Sequence, residues 1–139
     1  MNKERLRQYG AIKKELESIR QQLEEIGAEM YSPKQVQLTG MPNGRSAANE
    51  QLEKLIVKQD KLIQLYRNQL EKLTDERVAI ETALTELPPN ERVILRCHYI
   101  QGHNWEEVCL IVGYSWRQVH RIHSSALQRL REKEKNKKK

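Results

Sequence analysis

Apolar side chains recur at steps of three and four along the first two thirds of the chain, with charged and amide side chains between them. From Lys3 to about Ile26 the recurring positions are Tyr9, Ile12, Leu16, Ile19, Leu23 and Ile26. From about Ala47 to Glu86 the stripe consists of Leu52, Ile56, Gln59, Ile63, Tyr66, Leu70, Leu73, Arg77, Ile80, Leu84 and Leu87, where only Gln59 and Arg77 interrupt it. This spacing predicts two long helices that form a helical hairpin or coiled coil.

The two predicted helices are separated by residues 27–46, which are rich in glycine and proline. Gly27 is expected to stop the first helix, and Pro33, Gly40, Pro42 and Gly44 follow it. This composition predicts a connecting loop. A loop of this length inside a compact domain is either functional or partly disordered.

The lengths of the two predicted helices differ. At about 1.5 Å per residue the second helix would be roughly 60 Å long and the first roughly 36 Å. Part of the longer apolar seam would then lack a partner, and exposed seams of this kind usually mark an interface. We therefore expect a homo-oligomer through the coiled coil, with a monomeric hairpin docked on the C-terminal domain as the alternative.

The third part of the chain begins at Pro88-Pro89, which ends the long helix. Asn90 is positioned to cap a helix from Glu91 to about Ile100, whose inward residues are predicted to be Val93, Ile94, Cys97 and Ile100. Two shorter helices follow between Asn104 and Leu130, with a tight turn at Gly113-Tyr114-Ser115. Asn104 with Glu107, and Ser115 with Gln118, have the spacing of capping boxes. The pattern predicts a three-helix unit that ends in a helix–turn–helix.

The fold class that follows is all-α, with an N-terminal long helical hairpin or coiled coil and a C-terminal three-helix helix–turn–helix domain. The predicted division is 1–87 for the helical oligomerisation region, with its loop at 27–46, then 88–131 for the DNA-binding domain, and 132–139 for a basic disordered tail.

Charge is distributed unevenly between these regions. The chain has a net charge of +6, yet residues 1–89 carry 14 basic and 14 acidic side chains, against 11 and 5 in residues 90–139. A basic module attached to a neutral one indicates a nucleic-acid-binding end and a scaffold end. No signal-like segment or membrane-length apolar run is found, so a cytoplasmic protein without membrane contact is expected.

Cysteine and histidine usage does not indicate a cofactor. Cys97 and Cys109 fall within apolar helical patterns and are expected to be small buried thiols in a reducing compartment. The spacing of Cys97, His98, His103, Cys109, His120 and His123 matches none of the paired patterns that tetrahedral zinc needs. We expect neither a metal nor a cofactor.

The segment from Leu87 onward resembles region 4 of the bacterial sigma-70 family. The features that carry the resemblance are Leu87-Pro88, Glu91-Arg92, Tyr99-Ile100 with Gly102, Glu106-Glu107-Val108, Gly113 before Ser115, Val119, and Ala126-Leu127 with Arg129-Leu130. The resemblance covers about 45 residues. It departs from the family at Trp105 and Trp116, where smaller or polar residues are usual.

The whole arrangement, a helical N-terminus before a region-4-like module, resembles small phage and prophage regulators of the RinA and ArpU late-activator type. This resemblance implies a transcriptional regulator that acts on late or prophage genes. Double-stranded DNA is the implied partner, and host RNA polymerase is a second one.

The second helix of the helix–turn–helix carries the predicted DNA contacts. Arg117 and Arg121 point away from the Val119–Ile122 stripe, and Arg and Gln side chains can bond guanine and adenine bidentately. The predicted DNA-binding residues are Ser115, Trp116, Arg117, Gln118, His120, Arg121 and Ser124. Arg92 and Arg96 are expected to neutralise phosphates of the DNA backbone. Trp116 has a second interpretation as a core residue. Trp105 and His123 are expected to pack inside.

Two other functions fit parts of the sequence. The module could bind RNA polymerase or another regulator with little DNA affinity of its own, and a gel shift with the purified protein separates this from DNA binding. A small terminase-like packaging protein would also combine a helix–turn–helix with helical oligomerisation, although it usually places the DNA-binding module first. An enzyme is not expected, because Glu106 and Glu107 are adjacent on a helix and lack a neighbouring nucleophile or phosphate loop.

Overall fold

The protein is all-α in the computed structural model, which describes residues 1–31 and 42–137, with the backbone only for 42–46. Within these described residues five α-helices follow in order: α1 Lys3–Met30, α2 Pro42–Leu84, α3 Pro89–Leu95, α4 Trp105–Val112 and α5 Trp116–Lys137. A π-helical segment, Arg96–Ile100, continues α3. No strand occurs among the described residues, and the predicted fold class is confirmed.

The chain forms two compact units, and α1 and α2 each contribute to both. The first unit comprises residues 1–13 and 72–139, and the second comprises residues 14–71. The first unit therefore contains the whole C-terminal module together with the beginning of α1 and the end of α2.

The beginning of α1 is part of the hydrophobic interior of the first unit. Leu6 and Tyr9 are completely buried. The Arg77 guanidinium donates to the Tyr9 hydroxyl over 3.0 Å, and Arg5 forms two hydrogen bonds with the Glu76 carboxylate, of 2.9 and 3.1 Å. Arg77, which interrupts the predicted apolar stripe, thus pairs with a buried tyrosine on α1.

The second unit contains most of the predicted N-terminal seam, and its helix boundaries differ from the prediction. α1 passes through Gly27 and ends at Met30, so the expected stop at Gly27 was wrong. A glycine inside a helix costs only about 1 kcal/mol relative to alanine, which neighbouring turns can offset. Residues 32–41 of the predicted loop lie outside the described residues.

The buried stripe of α2 also differs from the predicted one in the second unit. Leu55 is buried although it was not part of the predicted stripe, whereas Ile56 is 39% exposed. Towards the end of α2 the predicted positions Leu73, Ile80 and Leu84 are buried. The predicted positions Leu52, Ile63 and Tyr66 are partly buried, so this part of the stripe departs from the prediction at Leu55–Ile56, where periodicity alone does not distinguish two adjacent apolar residues.

Two prolines, Pro88 and Pro89, determine where α3, the first helix of the C-terminal module, begins. Pro88 is the N-cap of α3 with extended backbone, and Pro89 occupies the first helical position. Proline suits that position because its N–H would have no helical partner and its φ is already helical. Asn90 therefore lies inside the first turn, and the prediction that it caps this helix is wrong.

The helix predicted from Glu91 to Ile100 is divided into two parts. After Leu95 the hydrogen bonds widen to the π pattern, as in the bond from Gln101 N–H to the Arg96 carbonyl (2.9 Å). Cys97, Tyr99 and Ile100 are all buried in this segment. Val93 was predicted to point inward but is 41% exposed, and Leu95 is buried instead.

The last helix is longer than the sequence indicated. α5 continues to Lys137, through most of the segment that was expected to be a disordered tail. The Lys133 ammonium donates to the Glu86 carbonyl (2.6 Å) and thereby holds this extension against the end of α2. None of the helices in the described part of the chain carries an apolar run that could span a bilayer.

Candidate nucleic-acid interface

The helix–turn–helix begins with a side-chain cap on α4. The Glu107 N–H donates to the Asn104 side-chain oxygen (2.8 Å), and the Asn104 amide donates to the Glu107 carboxylate (3.2 Å). At the other end Gly113 adopts φ of 74°, a left-handed conformation that favours glycine, and its N–H bonds the Cys109 carbonyl. These local signals turn the chain sharply after α4.

α5 begins with a reciprocal capping box. The Gln118 N–H donates to the Ser115 hydroxyl oxygen (3.3 Å), while the Ser115 N–H donates to the Gln118 side-chain oxygen (3.0 Å). Both predicted capping pairs are therefore confirmed. The carboxamide of Gln118 serves the helix start in this conformation, although Gln118 was predicted as a base-reading residue.

A small core joins α3, α4 and α5 and fixes the angle at which α5 is presented. Its buried members are Ile94, Cys97, Val108 and Val119, against which Trp105, Cys109, Val112 and Ile122 pack. Burial raises the pKa of the Cys97 thiol above its ordinary value. Cys97 and Cys109 are both free thiols.

The face of α5 opposite this core is polar and accessible. Val119, Ala126 and Leu130 are buried on the inner side. Arg117 and Arg121 lie on the outer side and are exposed, as is Ser124 one turn further along. Neither arginine forms an ion pair and the Ser124 hydroxyl forms no hydrogen bond with another described residue, so these three groups are available to an external partner.

An aromatic and histidine cluster connects the exposed start of α5 to the core. The His120 ring lies between Trp105 and Trp116, with centroid distances of 4.9 and 4.5 Å. Trp105 also stacks on His98 at 3.8 Å. Trp116 is 54% exposed, so the alternative of core packing is wrong for this residue and one side of its indole faces outward.

At the inner end of the cluster His123 is buried beside Tyr99, with 2.7 Å between the Tyr99 hydroxyl and His123 Nε2. Burial lowers the pKa of His123 to about 4, and electrostatic interactions with Lys3, His98 and His120 act in the same direction. Burial likewise lowers the pKa of His98. The expectation that Trp105 and His123 pack inside is confirmed.

Arg92 and Arg96 are engaged within the protein. The Arg92 guanidinium donates to the carbonyls of Leu84 (3.2 Å), the last residue of α2, and of Leu87 (3.0 Å), in the turn that follows. Arg96 forms a bidentate pair with Glu81 at 3.0 and 2.7 Å, and these bonds hold the pKa of the Glu81 carboxyl below its usual range. Both arginines thus join α2 to the C-terminal module.

A second link joins α3 to α5 through a buried carboxylate. Glu91 is 4% exposed, and one of its oxygens accepts from the Ser125 hydroxyl (2.9 Å) and from Arg129 (3.1 Å). Glu91 and Ser125 are 34 residues apart in the sequence, so helical periodicity could not predict this contact. Its effect is to fix the middle of α5 against α3.

Comparison with known families identifies the C-terminal module. Residues 83–132 match the family model described as Sigma-70, region 4. This part of the chain is therefore similar to sigma-70 region 4, a DNA-binding helix–turn–helix, and the predicted resemblance is confirmed. Comparison with curated proteins and with solved structures found no match.

The predicted site residues divide into two groups in the structure. The start of α5 brings together Ser115, Trp116, Arg117, Gln118, His120, Arg121 and Ser124, whereas Arg92 and Arg96 lie at the junction with α2. Sequence reasoning did not include Arg131 and Lys135, although they continue the spacing of Arg117 and Arg121. Among the described residues no group of three or more His, Cys, Asp or Glu could hold a metal ion.

Proposed function

We propose that this protein is a phage or prophage transcriptional regulator that binds duplex DNA with sequence preference through α5. The observation that supports this most directly is the exposed pair Arg117 and Arg121, set opposite the buried Val119 and Ala126 within the segment that matches region 4. A recognition helix places the residues of its N-terminal turns against base edges in the major groove.

The proposed contacts follow from position and chemistry. Arg117 and Arg121 bind guanine edges, each contact contributing about 1–3 kcal/mol of discrimination. Ser115 and Ser124 bind phosphates beside the groove. Trp116 supplies an exposed apolar edge next to His120, suited to a thymine methyl or a sugar.

The roles of Gln118, Arg92 and Arg96 in this proposal differ from their sequence-based prediction. Gln118 reads a base only by leaving the capping box with Ser115, so we assign it primarily to the helix start. Arg92 and Arg96 act as positioning residues, because their guanidinium groups are occupied by Leu84, Leu87 and Glu81.

The test is selection of bound sequences from random duplex oligonucleotides, followed by anisotropy titrations with the selected duplex. The Arg117→Ala/Arg121→Ala variant is expected to lose the preference for that duplex while its circular dichroism and melting temperature stay unchanged. Lys58→Ala/Lys61→Ala is the matched control, since it removes two positive charges from α2 in the second unit. Wild-type binding by the arginine variant would refute the assignment.

We further propose that the protein assembles as a homo-oligomer through its helical region. Exposed apolar side chains on α2 of the second unit support this, among them Ile56, Val57 and Leu65, which are 39, 52 and 52% exposed. Light scattering coupled to size exclusion tests it: a dimer is expected, and Val57→Lys/Leu65→Lys should yield monomers. Rings of many subunits would instead favour a terminase-like packaging protein.

Contact with RNA polymerase is the second candidate function. Leu110 and Ile111 on α4 are 84 and 54% exposed, an apolar surface outside the proposed DNA face that favours a protein partner. Copurification with RNA polymerase, and its loss in Leu110→Ser/Ile111→Ser with DNA binding retained, would establish this function beside the first.

A further inference from the structure

The outer face of α5 continues well beyond the helix–turn–helix as a polar and basic stripe. Its members follow one another at steps of four and three residues and are all exposed: Arg117, Arg121, Ser124, Gln128, Arg131 and Lys135. At about 100° per residue these six positions fall within a sector of roughly 80°. The stripe thus keeps one direction along nearly the whole helix.

The inner face of the same extension is attached to the rest of the first unit. Leu130 is buried. The Glu86 carboxylate lies 3.7 Å from the Lys133 ammonium and 3.9 Å from that of Lys137, and Glu134 lies 3.8 Å from the N-terminal ammonium of Met1. These contacts hold the last turns of α5 in place, so the stripe is presented by an anchored helix.

Arg131 and Lys135 differ from their neighbours because neither forms an ion pair with another described residue. Lys133 and Lys137 pair with Glu86, and Arg129 pairs with Glu91. Glu132 stands beside the stripe, where its carboxylate accepts from the Gln128 amide at 3.4 Å. Two cations of the extension therefore remain available, both on the outer face.

Distance along the helix separates these cations from the proposed base contacts. Arg131 lies ten residues after Arg121 and Lys135 fourteen, which corresponds to about 15 and 21 Å. The major groove is only about 12 Å wide. When Arg117 and Arg121 occupy the groove floor, the far end of α5 reaches the sugar–phosphate backbone that borders it, as the C-terminal ends of long recognition helices do.

We propose that Arg131 and Lys135 form a phosphate-binding extension of the recognition helix, which supplies affinity for duplex DNA of any sequence. This inference rests on the proposed function, because it takes α5 as the helix in the groove. Phosphate contacts fix the position of a protein on the duplex without reading its sequence. Each neutralised phosphate releases condensed counterions and so steepens the dependence of affinity on salt.

The test measures anisotropy with the full-length protein, a selected duplex and a scrambled duplex of equal length, over a series from about 50 to 200 mM salt. In Arg131→Ala/Lys135→Ala we expect the slope of log affinity against log salt to become shallower by about 1.8, since each phosphate contributes about 0.9. Affinity for both duplexes should fall by the same factor, on the order of tenfold, so that their ratio is unchanged. The Lys58→Ala/Lys61→Ala control should retain the wild-type slope.

Two outcomes would overturn the proposal: a wild-type salt slope in the Arg131/Lys135 variant, or a loss that affects the selected duplex alone. A different result would show that the proposed function, sequence-preferring DNA binding, is wrong while this inference holds. A wild-type protein that prefers no sequence, but whose salt slope still depends on Arg131 and Lys135, would refute sequence-preferring regulation and leave the phosphate contacts standing.

Discussion

The Tyr99 hydroxyl lies 2.7 Å from His123 Nε2 in the interior of the first unit, where it joins the π-helical segment to α5. A neutral imidazole with Nε2 as acceptor fits this geometry, because the phenolic O–H can then donate to it. In a protonated ring Nε2 would instead donate to the phenolic oxygen, and the ring would carry a buried charge. The stability of the module is therefore coupled to the protonation of one histidine.

Acid should destabilise the protein through His123, beginning at a pH above the range in which carboxylates titrate. Its pKa is about 4 in the folded protein against 6.5 as the ordinary value, so the unfolded chain binds the proton more readily. Stability from this group is complete above pH 6.5, declines as the pH falls to about 4, and then levels off. Urea unfolding at several pH values should show this decline, and His123→Gln should flatten it. A variant with unchanged slope would assign the decline to His98 or another group.

The two tryptophans should respond to substitution in opposite ways. Trp105→Ala removes a ring that packs on the core and stacks on His98, and should cost about 2–4 kcal/mol of unfolding free energy. Trp116→Ala, at an exposed position, should change stability by less than about 1 kcal/mol yet weaken DNA binding. Because the chain has only two tryptophans, Trp105→Phe leaves Trp116 as the sole indole. Its fluorescence should change when duplex DNA is added, and a constant signal would place Trp116 outside the interface.

Alanine should have opposite effects at two glycines. Gly113 has φ of 74°, and a Cβ built there meets no atom within 4 Å, so Gly113→Ala costs only the left-handed conformation, about 1–2 kcal/mol. Gly27 lies inside α1 with the same open space, where alanine should stabilise the helix by about 1 kcal/mol. Thermal unfolding of both variants checks the pair. A stabilising Gly113→Ala would contradict the proposed turn geometry.

The effects of replacing Arg96 and Glu81 on the free energy of unfolding should not be additive, because the two side chains bind each other. Single replacement of either by alanine should lower the free energy of unfolding by a similar amount, roughly 0.5–1 kcal/mol, and the double variant should lose little more. DNA affinity should be unchanged in Glu81→Ala, with only a small loss in Arg96→Ala. A large loss of DNA affinity in Arg96→Ala but not in Glu81→Ala would show that Arg96 contacts DNA, as the sequence predicts.

The features predicted correctly from sequence are those that depend on neighbours along the chain. Asn104 with Glu107, Ser115 with Gln118, and the Pro88-Pro89 break act within a single helical turn. The outward direction of Arg117 and Arg121 follows from their helical spacing from Val119. Similarity to region 4 was visible for the same reason, since its signature residues mostly mark turns, caps and core positions.

Some features of the structure depend on contacts between distant segments, which the sequence pattern does not reveal. Arg92 and Arg96 look like free cations on a short helix until folding brings the Leu84 carbonyl and the Glu81 carboxylate to them. The continuation of α5 past Leu130 depends on Glu86, which lies 47 residues before Lys133. Local composition could not reveal that a Lys-rich end would be held as helix.

The helices, the helix–turn–helix and the basic character of the last helix follow from the amino-acid sequence alone, because periodicity, capping and charge are local properties. Which basic side chains of the C-terminal module lack an ion pair with another described residue depends on the tertiary structure, because their acceptors come from distant parts of the chain. Hydrogen bonds and ion pairs within the protein engage Arg92, Arg96, Arg129, Lys133 and Lys137. Arg117, Arg121, Arg131 and Lys135 were left on one outward face, since the buried stripe of Val119, Ala126 and Leu130 holds the opposite side of α5 against the core.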